Sequence, residues 1–404
     1  MKKIATAMSV MTLALTMQGC GSSSSSEEST ELYSLYQDLA DNIIIPNYQA
    51  SSTAAAGLAG ASGSIQQYCD AIGSGSEATA LTTAKNAWLT TMAAWQRAEV
   101  HKFGPVTDDE NALQNRILPY ADLSISTCGI DQAAVSAQDV SFDFDARSRN
   151  QKGLGSIEYL LFNTDLTHTC PSQITETTDW NARTEQERKE WRCDLARIVA
   201  DDLSSAMASV TTEWELDGSN YRGVFINPEK AEEFLTAISD GLFYLETIVK
   251  DKKLGIAMGI SSSCSDFTCP SQLESAYSES SLANIKVNLE SFEDFLTGNG
   301  GLGLDSLISD AGVPQVTEDL LQYVDDAITE INNNSTSAFD QATEIDSTLE
   351  ETECTNATAA PDTPSSFPAC NLYGHVKNIT DTLKSGFVAA ISQSIPEGAQ
   401  SDND

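Results

Sequence analysis

Between Glu31 and Ser392, outside a stretch over 121–147 that lacks sustained periodicity, the apolar residues recur at helical spacing, and no run of alternating apolar and polar residues marks a strand. That pattern confines the fold to helices. Leu32, Leu35, Tyr36 and Leu39 share one face of a helix expected over 31–48, bent or stopped before Pro46. Leu81, Trp88, Met92, Trp95 and Glu99 do the same over 77–103, where Phe103-Gly104-Pro105 ends the run. Further helices are expected over 108–120, 184–214, 228–249, 271–296, 316–349 and 373–392, and a long loop over 121–147. The helix at 184 opens with the capping pattern Thr184-Glu185-Gln186-Glu187. Gly218, Gly223 and Pro228 mark a boundary between two bundles, 31–215 and 228–395, in a chain of 404 residues, long enough for two domains. The expected class is all-α, with two antiparallel helical bundle domains.

One stretch of this helical chain carries a chemical demand. Over Gly153 to Phe162, Leu154, Ile157 and Leu161 fall on one face, while Tyr159, Leu160 and Phe162 cover much of the rest. Such a helix is expected to be buried, and Glu158 with it. A buried carboxylate needs a hydrogen-bond donor, a cation or a proton, because leaving it unpaired costs several kcal/mol. Glu158 is therefore a candidate site residue, unless its carboxylate reaches the rim of the packed helix.

The first residues are read as an export leader rather than as fold. Lys2 and Lys3 precede an apolar run from Ile4 to Met17 that is too short to span a bilayer, and Gly19-Cys20 follows. This arrangement predicts a bacterial lipoprotein, with residues 1–19 removed, Cys20 lipidated, and a Ser/Glu-rich tether over 20–30. The expected location is the cell envelope, lipid-anchored to the outer membrane and facing the periplasm or the cell surface.

Nine cysteines less Cys20 leave Cys69, Cys128, Cys170, Cys193, Cys264, Cys269, Cys354 and Cys370, an even set that favours disulfides in an exported chain. Closeness in sequence suggests 170 with 193, 264 with 269, 354 with 370 and, by elimination, 69 with 128. CxxC-like spacing for zinc is absent. The formal charge of −37 disfavours nucleic acid and acidic membrane surfaces as partners.

Three separated segments together resemble one family. They are Ala87-Trp88 with Trp95, Glu99 and Phe103-Gly104-Pro105; Gly153-Leu154 with Ile157-Glu158-Tyr159-Leu160-Leu161; and Leu273-Glu274-Ser275 with Ser278, Leu282 and Asn288-Leu289. The chain is similar over about residues 31 to 395 to the imelysin-like proteins, also classed as peptidase M75 and described as iron-regulated. The resemblance implies two helical bundles with the motif near their interface. The family signature is Gly-x-His-x-x-Glu, whose His and Glu are taken to bind a metal. Here it reads Gly153-Leu154-Gly155-Ser156-Ile157-Glu158, so Gly155 stands where His is expected. His101, His168 and His375 do not obviously replace it, and one Glu does not make a metal site.

A peptidase needs a metal-activated water or a nucleophile with a base, and neither HExxH nor a motif-framed Ser or Cys is present. The leading expectation is thus a non-catalytic, envelope-anchored binding protein associated with iron uptake. Glu158, Glu99, Trp95, Glu274 and Ser278 would line a cleft between the bundles, offering oxygen ligands to ferric iron, calcium or a cationic ligand. Three rivals stand beside it: a metallopeptidase, a buried polar network that only fixes how the bundles pack, and a module that docks onto an outer-membrane transporter or another envelope partner.

Overall fold

The computed structural model describes residues 24–400. The expected leader and the lipidated Cys20 lie outside them. Among the described residues there is no strand, so the class is all-α. Helix α1 (Ser24–Leu39) begins inside the stretch expected as a tether, a correction consistent with the helix-forming residues Glu27 and Glu28 there. It runs through a π-helical turn (Ala40–Ile44) into α2 (Ile45–Leu58). Pro46 does not stop the rod, because it sits in the first turn of α2, where the missing N–H is least costly after the widened turn.

Helices α3 (Ser64–Ala71), α4 (Glu77–Glu99) and α5 (Asp108–Ile117) follow. Helix α6 (Thr127–Ser136) replaces part of the loop expected over 121–147; Ser126 caps it by accepting from the Gly129 N–H. The motif helix α7 (Gly153–Phe162) is buried from Gly153 to Leu161, and α8 (Glu185–Trp214) starts with the capping box of Thr184 and Glu187. After α9 (Tyr221–Phe225) and α10 (Ala231–Leu242), a π-helical stretch (Leu245–Ile256) carries the chain to an irregular segment over 270–280. Then come α11 (Ser281–Thr297), α12 (Leu304–Asp310), α13 (Gln315–Asn333), α14 (Ala338–Glu344), α15 (Thr348–Ala359) and α16 (Pro368–Thr382).

Helix α4 positions the site. It packs on α2, α3, α7 and α11, while α13 packs on α11, and α16 on α13 and on the π-helical stretch. One large apolar core draws residues from Leu32 to Ala399, and a smaller one gathers Met258, Ala342, Ile345, Ala357 and Phe367 around the Cys354–Cys370 bond. The stretch over 217–228 is itself packed: Phe225 stacks on Phe103 and meets Trp214, Tyr36 and Phe234.

All eight cysteines expected in disulfides are paired, but two pairings differ from those that sequence proximity suggests. The bonds are Cys69–Cys193, Cys128–Cys170, Cys264–Cys269 and Cys354–Cys370. Packing decides the two corrections. Helix α3 lies on α8, which brings Cys69 to Cys193 across 124 residues. The loop after α7 folds back over α6, where the Thr169 N–H donates to Asp131 at 2.8 Å, and this sets Cys170 beside Cys128.

Candidate functional site

Entry into α7 depends on one glycine. Gly153 has φ +70°, and a Cβ there would lie 2.1 Å from the Ile117 carbonyl oxygen, so only glycine permits this close approach of backbones. Trp88 of α4 then fixes the helix by donating its indole N–H to the Leu154 carbonyl at 3.0 Å.

Glu158, 3% exposed, faces a cavity of ≈ 440 Å³ between α7 and the irregular 271–277 segment. Gly155, Glu274 and Ser275 line the same cavity. Oε1 of Glu158 accepts two hydrogen bonds from Ser278, one from its N–H at 2.8 Å and one from its hydroxyl at 2.9 Å. Burial pushes the Glu158 carboxyl up to about 7; the Ser278 bonds pull it back in part, and the nearby Glu274 charge adds to the rise.

Glu274, 2% exposed, is held differently. Its Oε2 pairs with the Lys253 ammonium at 2.9 Å and accepts from Asn284 at 2.9 Å, and its Oε1 accepts from Gln96 at 3.0 Å. Lys253 also donates to Gln96 at 2.7 Å and Asn288 at 2.8 Å, so α4, the π-helical stretch and α11 share one buried polar network. Ser275 joins it by accepting from Asn284 at 3.0 Å.

The other motif residues do other work. Trp95 donates its indole N–H to Glu99, whose second oxygen pairs with Lys102 at 2.8 Å; neither Trp95 nor Glu99 lines the cavity. Phe103 belongs to the aromatic cluster, and Gly104, at φ +69°, lets Tyr221 cross over the turn that Pro105 stiffens. Tyr159 points away from Glu158, donating to Asp131 at 3.0 Å, while Arg192 pairs with Asp131 at 3.5 Å. Residue-type reasoning missed Lys253, Gln96, Asn284 and Asn288 as a unit. The available signal was the charged cluster Lys250-Asp251-Lys252-Lys253, set between apolar Ile248-Val249 and Leu254-Gly255-Ile256.

The metal that the signature implies does not fit these residues. Gly155 offers no donor, and a Cβ on it would lie 2.7 Å from Cγ2 of Ile125, which covers that face of α7. Ser278 occupies Oε1 of Glu158, and an ammonium already balances Glu274. Among the described residues no group of three or more His, Cys, Asp and Glu side chains is placed to hold a metal ion. His101 is buried between Tyr48 and Phe295, with burial pushing its pKa down to about 3.

The fold and the site together define a helical protein with a motif helix that presents one buried carboxyl to a cavity. The imelysin family model, peptidase M75, matches residues 44–361, and the chain belongs to that family. The crystal structure of an imelysin-like protein from Psychrobacter arcticum 273-4 is similar, with a TM-score of 0.62 and 17% identity over 92% of this chain and 98% of that one. So is that of a protein described as an iron-regulated protein A precursor from Parabacteroides distasonis ATCC 8503, with a TM-score of 0.58 and 17% identity over 88% and 95% of the two chains. No curated protein matches the chain.

Proposed function

We propose that this chain is an exported, non-catalytic binding protein that holds a small organic amine in the cavity between α7 and the 271–277 segment. The observation that carries this reading is Glu158, a buried carboxyl that lines a cavity of ≈ 440 Å³ and receives hydrogen bonds from Ser278 alone among side chains. Met92, Ile125 and Phe339 offer apolar surface to the body of such a ligand, and Tyr120 and Thr127 stand at its polar edge. An entering ammonium favours the ionised form of Glu158, so binding expels the proton that burial retains there.

Export is supported by the leader over residues 1–19 and by the word precursor attached to the Parabacteroides distasonis protein; lipidation at Cys20 would place the chain on the outer membrane. That protein is also described as iron-regulated, which supports an association with iron uptake here in which iron does not itself sit on Glu158. Metallopeptidase chemistry finds no support in a donor set of this kind.

Thermal unfolding of the purified mature protein with hexylamine at pH 8 tests the reading. The melting temperature should rise in the wild type and not in a folded Glu158→Gln variant, and ferric iron should leave both unchanged. A second reading, in which the polar groups only fix helix packing, is favoured for Glu274 by its Lys253–Gln96–Asn288 network. That reading predicts no amine-dependent shift, or one that Glu158→Gln retains.

A further inference from the structure

A second cavity, of ≈ 490 Å³, opens at the other end of α7, where α4, α8 and the loop over 163–167 meet. Its charge is out of keeping with the chain. Against 59 Asp and Glu the protein has 22 Lys and Arg, and four of those, Lys85, Arg188, Lys189 and Arg192, line this one cavity beside three carboxylates, Glu77, Asp165 and Glu185. Two are already balanced. Lys189 pairs with Glu77 at 2.9 Å and Glu185 at 2.8 Å, and Arg192 pairs with Asp131 and donates to the Asp165 carbonyl at 2.9 Å.

The other two are not. Among the described residues Lys85 has no carboxylate at ion-pair distance; its ammonium rests 4.8 Å from the Phe162 ring centre. Arg188 likewise makes no ion pair among them: one terminal nitrogen donates to the Leu166 carbonyl at 3.2 Å, and its Nε is buried without a hydrogen-bond partner. The Arg188 charge acts on the Asp165 and Glu185 carboxylates without pairing to either, so the cavity holds one ammonium with no carboxylate partner and one guanidinium left incompletely matched, an unfavourable state for partly buried cations. The wall beside them is apolar, formed by Leu81, Leu160 and Leu161.

We propose that this cavity binds a small carboxylic acid with an apolar body, the carboxylate set between Lys85 and Arg188 and the hydrocarbon lying on Leu81, Leu160 and Leu161. A guanidinium and an ammonium on opposite helices suit a carboxylate, which can take two donors from one and one from the other. The overall negative charge of the protein repels free anions at long range, so affinity rests on the cavity itself.

Calorimetric titration of the mature protein with hexanoate and, separately, with uncharged hexanamide tests this assignment. Hexanoate should bind saturably, with hexanamide at least about tenfold weaker. Lys85→Gln and Arg188→Gln, each on a partly exposed helix position and checked by circular dichroism, should each weaken hexanoate about tenfold, the loss expected of one charged contact. The proposal falls if hexanoate does not bind the wild type, if hexanamide binds equally well, or if both folded variants keep wild-type affinity.

Discussion

The two walls of the first cavity meet the same physical problem with different chemistry. Glu158 on α7 and Glu274 on the opposite segment are both buried, yet Glu274 is answered by an ammonium and Glu158 by a peptide N–H and a hydroxyl. Neutral donors stabilise a carboxylate without cancelling its charge, so for Glu158 a proton stays competitive near neutral pH. The pair therefore divides into a fixed side, an ion-paired carboxylate tied into the framework, and a titrating side, a carboxyl met only by neutral donors.

Breaking the fixed side should have the largest effect. Lys253→Met leaves Glu274 buried beside amides alone and should cost about 3–5 kcal/mol in guanidinium unfolding at pH 8, the usual penalty for stranding a buried charge. Glu274→Gln in the same background should recover most of that loss. If Lys253→Met costs as much with Gln at 274 as with Glu, the ion pair is not what the lysine contributes.

The titrating side should reveal itself through pH. The Glu158 carboxyl is raised in the folded state from an ordinary value of 4.5 to about 7, so between those values the folded protein holds a proton that the unfolded chain has released. The stability it contributes is therefore complete below pH 4.5, falls as pH rises, and is gone above pH 7, a loss of about 3 kcal/mol. His101 slopes the other way: its folded pKa is depressed from 6.5 to about 3, so it costs stability as pH falls below 6.5. The difference between wild type and Glu158→Gln, measured by urea unfolding from pH 4 to pH 9, isolates the glutamate and should be flat outside the window from 4.5 to 7.

Much of this contrast was beyond reach in the amino-acid order. The burial of Glu158 was legible, because one carboxylate stood among Leu154, Ile157, Leu160 and Leu161 at helical spacing. Its partner was not, since Leu273 and Leu282 suggest a helix from 271, whereas positive φ at Ser275 and Glu279 keeps the segment irregular until Ser281 and turns Ser278 toward α7. Lys253 was hidden because it lies in a π-helical stretch, where the spacing that sorts buried from exposed positions in an α-helix no longer applies. The disulfides show the same limit: the short links 264–269 and 354–370 follow sequence proximity, while Cys69 finds Cys193 only once α3 lies on α8.

The smallest and most selective change is Ser278→Ala. It removes the hydroxyl donor at 2.9 Å and leaves the backbone N–H at 2.8 Å in place, so the 273–280 segment keeps its tie to α7. One neutral hydrogen bond to a charged acceptor is worth about 1.5–3 kcal/mol at most and less when the acceptor can protonate instead, so above pH 8 the cost should be about 1 kcal/mol. Below pH 5, where Glu158 is protonated in both proteins, the cost should shrink further. The midpoint of the Glu158 transition should move above 7, because the lost hydroxyl favoured the ionised form. A site-resolved carboxyl NMR titration of Glu158 reads that midpoint directly. A midpoint unmoved by Ser278→Ala would mean that the hydroxyl bonds elsewhere in solution, to Ser280 at 2.9 Å, and that of the two Ser278 donors only the peptide N–H offsets the burial that raises this carboxyl.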